Sequence, residues 1–260
     1  MSDSVGKTGA ERSVKWFPRD ATLATGVVGL DLSVSRVLTA LASQSPIFHS
    51  EADFQHAIAW EIHKHLPRAS VQLERPVEVS HVNKRLHVDV WIVQDDHVLA
   101  IELKYKTRAL QVLIGNERYA LRSQTAQDLG RYDFIKDIGR VENIVTDRAP
   151  RASGYAILLT NDPSYWTHPR SDNTADARFR LHEGNTLRGD LGWGLGASEG
   201  TKRGREDLLQ LRRSYPLRWV DYSRPAEGSY GRFRYLVVEV ENGASAPAAD
   251  PLSQEHTGMQ

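Results

Sequence analysis

Cysteine is absent from the 260 residues of this chain, which excludes disulfide bonds, thiolate zinc sites and thiolate-bound iron–sulphur clusters. Long apolar runs are absent too, since none approaches the roughly 20 residues needed to cross a bilayer. The polar start, Met1 to Arg12, has no hydrophobic signal core. We therefore expect a cytoplasmic protein with no membrane partner.

The chain has no excess of either charge, because 33 lysines and arginines balance 33 aspartates and glutamates. A nucleic-acid-binding protein usually has a basic excess, so any phosphate-binding surface here must be local. Candidate surfaces are the run Lys104, Lys106 and Arg108 and a later group formed by Lys202, Arg203, Arg205, Arg212, Arg213 and Arg218. The alternative for both groups is ordinary solvated surface.

Two short apolar runs, 85–93 and 98–104, flank a polar turn at Asp95 and Asp96. Both are rich in β-branched residues, so they predict the two strands of a β-hairpin. Apolar residues occupy both faces of this pair, which indicates that it lies in the centre of a sheet covered on both sides. Charged residues at the end of such strands are costly unless they are paired or bind a ligand.

Symmetric pairing about the turn places Gln94 opposite His97 and Asp89 opposite Glu102, and Lys104 shares the face of Glu102. Two opposed carboxylates repel each other, and Mg²⁺, or Mn²⁺ in its place, would offset that repulsion. This arrangement predicts a metal-dependent phosphodiesterase site. Asp89 and Glu102 would hold the metal, and Lys104 would contact the attacking water or a phosphate oxygen. The alternative is an exposed cross-strand charge cluster.

A third carboxylate lies in the helix predicted before these strands, which begins at Ser50 with a capping-box-like sequence and ends before Pro67. Glu61 follows Phe54 by two helical turns and therefore lies beside the apolar stripe. It is the third candidate metal ligand. The alternative is a glutamate at the edge of the stripe that is hydrogen-bonded to the backbone.

Asp89 on one strand and Glu102-Leu103-Lys104 at the end of the next resemble the PD-(D/E)XK nuclease superfamily, which includes many restriction endonucleases, resolvases and repair nucleases. The resemblance covers roughly 50–162, and Val88 stands where the motif's name has proline. It implies a restriction-endonuclease-like α/β fold, an αβββαβ core with a mixed central sheet flanked by helices. It also implies Mg²⁺-dependent cleavage, most often of DNA, with Asp89, Glu102 and Lys104 catalytic. Glu61 matches the helical acidic residue that often completes the metal shell.

The remaining pattern predicts a single domain over 13–240, with its core at 50–162, a C-terminal elaboration at 163–240 and unstructured ends at 1–12 and 241–260. The elements predicted around the hairpin are a helix carrying Val34, Val37, Leu38 and Leu41, a strand over 71–79, a helix from 117 to about 141, a buried strand over 154–159 and two strands over 217–222 and 233–240.

We assign nucleic-acid binding to Lys106, Arg108 and Gln124. Some members of the superfamily bind phosphate with a Gln and a Tyr on the later helix, and Gln124 or Gln127 with Tyr132 is a loose, off-spacing parallel. The aromatic residues Tyr165, Trp166 and Trp193 in the Gly- and Arg-rich segment 164–204 could stack on bases or anchor a small subdomain. Residues 196–202 lack the spacing of a phosphate loop, so we expect no ATP binding.

A second functional hypothesis is a nucleic-acid-binding or scaffold protein of the same fold that does not cleave. A carboxylate-pair glycoside hydrolase is less favoured, because Lys104 would favour ionisation of both acids. The sequence leaves open endonuclease or exonuclease action, DNA or RNA, and a homodimer or another partner protein.

Overall fold

The computed structural model describes residue 30, residues 32–80 and residues 82–241, for 82–84 without their side chains. Of the ends predicted to be unstructured, 1–12 and 242–260 lie outside the described residues. The helices are α1 (Val34–Gln44), α2 (Glu51–His65), α3 (Gln127–Asp147) and the short α4 (Glu199–Lys202). The strands are β1 (Ser70–Val79), β2 (Val82–Gln94), β3 (His97–Lys106), β4 (Leu110–Ile114), β5 (Glu117–Leu121), β6 (Ala152–Thr160), β7 (Thr186–Leu191), β8 (Leu209–Pro216), β9 (Trp219–Ser223) and β10 (Phe233–Val240).

A mixed six-stranded sheet in the order β1-β2-β3-β6-β10-β9 forms the centre of an α/β fold. β3 and β6 run parallel, and the other neighbouring strands of this sheet run antiparallel. The parallel pair requires a crossover, and α3 lies in the connection between the two strands. The predicted class, α/β with a mixed central sheet flanked by helices, is confirmed.

Helices cover both faces of this sheet. α1 and α2 pack on one face, where Ile101 and Leu103 of β3 join their apolar cluster. α3 packs on the other face, where Ile138 meets Ala156 and Leu158 of β6. Each fully buried Leu or Ile in these layers contributes about 1.5–3 kcal/mol relative to an exposed one. A polar side chain of β3 that points towards α3 is therefore enclosed between two apolar layers.

The predicted hairpin forms with the predicted register from Gln94–His97 through to Val90–Ile101. At the turn, Asp95 has a φ of 52°, a left-handed conformation that aspartate tolerates better than most residues. The turn therefore sets the position of every residue along β3, the strand that carries Glu102 and Lys104 and is called the site strand below.

The prediction of a helix from residue 117 is wrong. Residues 110–121 form the β4–β5 hairpin, and α3 begins only at Gln127. Gly115, with a φ of 58°, supplies the left-handed turn residue. In β5 burial alternates, with Tyr119 and Leu121 buried, which is the two-residue period of a strand.

The C-terminal elaboration completes the core on the α3 side. β9 and β10, which were predicted as strands, extend the central sheet beyond β6, and β7 pairs with β8. Trp193 stacks on Tyr132 at 5.9 Å and meets Phe179 edge-on at 4.8 Å between ring centroids. Tyr165 is buried, and Trp166 packs partly buried against the same cluster, so these aromatic residues anchor the elaboration. Within the described ranges, no helix is long and apolar enough to cross a membrane.

Candidate functional site

The pairing of β2 with β3 stops at Val90–Ile101, and beyond it the described parts of β2 pair with β1 and those of β3 with β6. Two carboxylates take the place of the missing strand. Asp89 Oδ2 accepts the Leu103 N–H at 2.6 Å, and Glu51 Oε2 accepts the Tyr105 N–H at 2.6 Å. Because the end of β3 is held by side chains, carboxylates gather where the two strands separate.

Glu102 and Lys104 lie on the face of β3 that meets α3, and α3 supplies a partner for each. Lys104 Nζ lies 2.6 Å from Asp137 Oδ2, and Glu102 Oε1 lies 3.1 Å from Arg140 Nη2. Arg140 Nη1 also lies 3.3 Å from Asp137 Oδ1. The site is therefore a buried group of carboxylates and cations, and sequence reasoning missed its α3 members.

Burial and like charges raise the pKa values of the acids. Burial raises the pKa of Asp89 to about 6, although the Leu103 N–H and Lys104 oppose this shift. Burial and the Asp137 carboxylate hold the pKa of Glu102 well above its usual range, with Asp89 adding to the effect and Arg140 opposing it. Burial also raises the pKa of Asp137, against the opposing effect of Lys104 and Arg140.

Lys104 behaves in the opposite way to an ordinary buried lysine. Burial lowers its pKa, but the adjacent Asp137 carboxylate outweighs burial, so the pKa lies above its usual value. Lys104 is therefore fully protonated at neutral pH. Around it, the acids Asp89, Glu102 and Asp137 outnumber the cations Lys104 and Arg140. When these acids are ionised, the group carries a net negative charge and would attract a further cation.

The donors present suit a magnesium ion. Glu102 Oε1 is buried and makes no hydrogen bond of acceptable geometry, despite its proximity to Arg140. Mg²⁺ prefers oxygen ligands and is often held by one or two protein carboxylates with several waters, so Asp89 and Glu102 fit it. Among the described residues, no group of three or more His, Cys, Asp or Glu side chains is placed to hold a metal. A metal here would therefore rely on the carboxylate pair and water.

Glu61, the third predicted ligand, is not brought to this site. It lies ten residues along α2 from Glu51, which is about 15 Å of helix. Its carboxylate pairs with Lys64 and lies 3.3 Å from Gln44 Nε2 and 3.4 Å from His65 Nε2. Burial raises its pKa, but Lys64 outweighs that effect and leaves the pKa below its usual value. The α2 carboxylate that reaches the site strand is Glu51.

The three residues assigned to nucleic-acid binding differ in their surroundings. Lys106 lies two residues beyond Lys104 on the same face of β3, and no described residue pairs with its ammonium group. Arg108 is held in place, because its N–H donates to Asn161 Oδ1 at 2.7 Å and its Nη2 donates to Tyr230 Oη at 3.2 Å.

Gln124 precedes α3, and its exposed side chain lies near the end of the site strand, since its N–H donates to the Thr107 carbonyl at 2.8 Å. The other two residues of the Gln and Tyr parallel are occupied elsewhere. Gln127 donates to Asp162 Oδ2 at 2.9 Å, and the buried Tyr132 donates to the Asp207 carbonyl at 3.1 Å. Gln124 and Lys106 thus lie near the end of β3, and among the described residues neither side chain has a partner.

Part of the later basic group is bound within the protein. Arg205 makes two hydrogen bonds to the Asp133 carboxylate, at 2.7 and 2.8 Å, and Lys202 pairs with Glu199 at 2.7 Å. These residues join the elaboration to α3 and stabilise α4. They do not form a free basic patch.

A comparison of the chain with protein-family models, with curated proteins and with solved structures found no match in any of the three.

Proposed function

We propose that this protein is a Mg²⁺-dependent nuclease of the PD-(D/E)XK type that hydrolyses phosphodiester bonds, with DNA as the preferred substrate. The observation that carries the proposal is the group formed by Asp89, Glu102 and Lys104 where β2 and β3 separate, in which three carboxylates, those of Asp89, Glu102 and Asp137, face the two cations Lys104 and Arg140. The chain order α2-β1-β2-β3-α3-β6, with the separate β4–β5 hairpin inserted before α3, supports it, because apart from this insertion it is the αβββαβ order that the resemblance implies. DNA is preferred over RNA on the resemblance alone.

Each residue has a distinct part in the proposed reaction. Asp89 and Glu102 would hold the metal through carboxylate oxygens, and the Leu103 N–H fixes the orientation of Asp89. Mg²⁺, when bound, would supply Lewis acidity towards the scissile phosphate and the attacking water. Lys104, always protonated, orients the attacking water and stabilises the negative charge that develops on the phosphate.

Asp137 is a positioning residue in this scheme. Its contact with Lys104 keeps the ammonium group on the site face of β3 and keeps it charged. Lys106, further along the same face, is placed to bind a neighbouring phosphate. This local phosphate binding is compatible with a chain whose formal net charge is zero.

A second candidate is a nucleic-acid-binding or scaffold protein of the same fold without cleavage. One observation favours it: Lys104 already pairs with Asp137, and Glu102 already lies beside Arg140. A buried cluster of ions that contact one another in this way can be purely structural. The two candidates differ in whether Mg²⁺ produces turnover.

The test is cleavage of linear, circular, single-stranded and branched DNA, and of RNA, by the wild-type protein with Mg²⁺, Mn²⁺ or EDTA. The Glu102→Gln and Lys104→Ala variants are compared with the wild type at equal folded concentration, checked by circular dichroism. We expect metal-dependent cutting that falls by at least about a thousandfold in either variant, because each loses several kcal/mol of transition-state stabilisation.

A matched control is Glu78→Gln, which removes an exposed strand carboxylate paired with Arg85, and we expect it to cut at the wild-type rate. Full metal-dependent cleavage by Lys104→Ala would show that the assignment is wrong. Nucleic-acid binding by the wild type without cleavage in any metal would instead support the second candidate.

A further inference from the structure

Arg140 lies where a cation at this site would be expected. Its guanidinium lies 3.1 Å from Glu102 Oε1 and 3.3 Å from Asp137 Oδ1, and it donates to the carbonyl oxygen of His87 on β2. It therefore joins both buried acids and the strand that carries Asp89. Its Nε is buried without a hydrogen-bond partner in the described residues.

Exposure is graded across this group. The Arg140 side chain is 24% exposed, compared with 16% for Lys104, 6% for Asp137 and 1% for Glu102. Of these four side chains, Arg140 is therefore the most exposed, and Glu102, which it contacts, is the least exposed.

We infer that Arg140 is an internal cation that holds the Glu102 carboxylate until a divalent metal ion displaces it. This inference rests on the proposed function and adds a built-in competitor for the metal. A guanidinium cannot lose its proton in a protein, so Arg140 must leave by moving rather than by titrating. Metal binding is then an exchange of one cation for another, and Arg140 weakens the apparent affinity for Mg²⁺.

Asp137 gives the displaced guanidinium a place to go. It is three residues before Arg140 on α3 and already contacts it, so the contact can persist when the contact with Glu102 is lost. Asp137 holds Lys104 through Oδ2 and contacts Arg140 through Oδ1, so the lysine can keep its position when the guanidinium leaves Glu102.

The experiment measures Mg²⁺ binding by calorimetry, without nucleic acid, for the wild type, Arg140→Gln and Arg140→Lys. We expect Arg140→Gln to bind Mg²⁺ at least about tenfold more tightly, because a nearby like charge is removed. Arg140→Lys keeps the charge and should remain close to the wild type. The matched control is Arg151→Gln, which removes an exposed arginine paired with Asp96 and should leave the affinity unchanged.

A second measurement uses the wild-type protein and does not depend on the folding of a variant. The Nε–Hε signal of Arg140 in nitrogen-15 NMR, assigned by its loss in Arg140→Lys, should shift as Mg²⁺ is added. The Nε–Hε signal of Arg151 should not shift. A wild-type Arg140 signal that stays constant while Mg²⁺ binds would overturn the exchange.

The outcomes separate this inference from the proposed function. Equal Mg²⁺ affinity in the wild type and Arg140→Gln, together with metal-dependent cleavage, would overturn the internal cation and leave the nuclease assignment standing. Absence of both Mg²⁺ binding and cleavage in every variant would overturn both. Tighter binding by Arg140→Gln alone, with a shifted Arg140 signal in the wild type, is the expected result.

Discussion

Glu142 and Glu102 are two buried glutamates, one on α3 and one facing it, with very different surroundings. Glu142 is 3% exposed and accepts hydrogen bonds from the Arg212 N–H at 3.0 Å, the Arg213 N–H at 3.1 Å and the Tyr215 hydroxyl at 2.7 Å. Glu102 is 2% exposed, and its closest partner is the Arg140 guanidinium.

The difference lies in the donors rather than in the depth of burial. Neutral donors fixed on β8 satisfy Glu142, so its carboxylate joins the elaboration to α3. Glu102 has one cation beside it and other carboxylates nearby, and burial together with the Asp137 carboxylate raises its pKa. A buried acid without fixed donors is the one that a ligand can stabilise.

The largest expected effect is a difference in the free energy of unfolding between variants of the two glutamates. Glu142→Ala leaves two backbone N–H groups and a tyrosine hydroxyl without a partner, so we expect the free energy of unfolding to fall by about 3 kcal/mol. Glu102→Gln removes a charge that burial disfavours, so we expect no fall at pH 7.5. Urea unfolding followed by circular dichroism measures both. Equal losses in the two variants would remove the distinction between structural and functional acids.

A smaller effect sharpens the comparison through pH. The pKa of Asp89 is about 6 in the folded protein against its ordinary value of 3.8, so above pH 6 its buried charge costs stability. As pH falls from 6 to 4, the folded state takes up a proton that the unfolded chain does not, and this contribution to stability rises. We expect Asp89→Asn, which can still accept the Leu103 N–H, to be more stable than the wild type by about 2 kcal/mol at pH 7.5.

That gain should shrink as pH falls and disappear only well below pH 3.8, where Asp89 is neutral in the folded and unfolded states of the wild type. Thermal unfolding at several pH values measures it, with Asp96→Asn, an exposed turn carboxylate, as the control. Mg²⁺ should stabilise the wild type and not Asp89→Asn. A pH-independent gain in Asp89→Asn would mean that the buried charge is not its cause.

The smallest effect extends the comparison to cations. Lys106 has no described partner, whereas Arg108 is hydrogen-bonded to Tyr230 and lies 5.0 Å above its ring. We expect Lys106→Ala to weaken DNA binding severalfold and to reduce the slope of log affinity against log salt by about 1. Arg108→Ala should instead lower the free energy of unfolding. Fluorescence anisotropy at several salt concentrations measures the slope, and an unchanged slope in Lys106→Ala would remove Lys106 from the DNA-binding surface.

Short-range sequence patterns were sufficient to predict the site strand, β3, and its register with β2. The turn at Asp95 fixes the hairpin register, and the cap at Ser50 fixes the start of α2, where the Asp53 N–H donates to Ser50 Oγ at 3.1 Å. Both depend on residues a few positions apart, which a sequence displays directly. The predicted pairing of Asp89 with Glu102 lies one step beyond the last observed pair, Val90–Ile101, and Asp89 there accepts the Leu103 N–H through its side chain instead.

The α3 side of the site depends on a contact between distant segments. Asp137 stands among Phe134, Ile138 and Val141 on an apolar stripe, the same signal that suggested Glu61 on α2. Each acid has a basic residue three positions later, so the local pattern does not tell them apart. Asp137 faces β3 and Glu61 faces α1, and this difference is decided by how the helices pack on the sheet. The prediction also began this helix at residue 117 instead of Gln127, so it did not show which residues of α3 face the sheet.

The two carboxylates that accept N–H groups of β3 also make those N–H groups spectroscopic reporters. The amide protons of Leu103 and Tyr105 are held by Asp89 and Glu51 rather than by a neighbouring strand. Their resonance positions and exchange rates with deuterium should therefore follow the charge and occupancy of those carboxylates rather than the general stability of the sheet. Two backbone signals of the unmodified protein can thus be used to follow ligand and proton binding at this strand end, without a label, a substrate or a mutation.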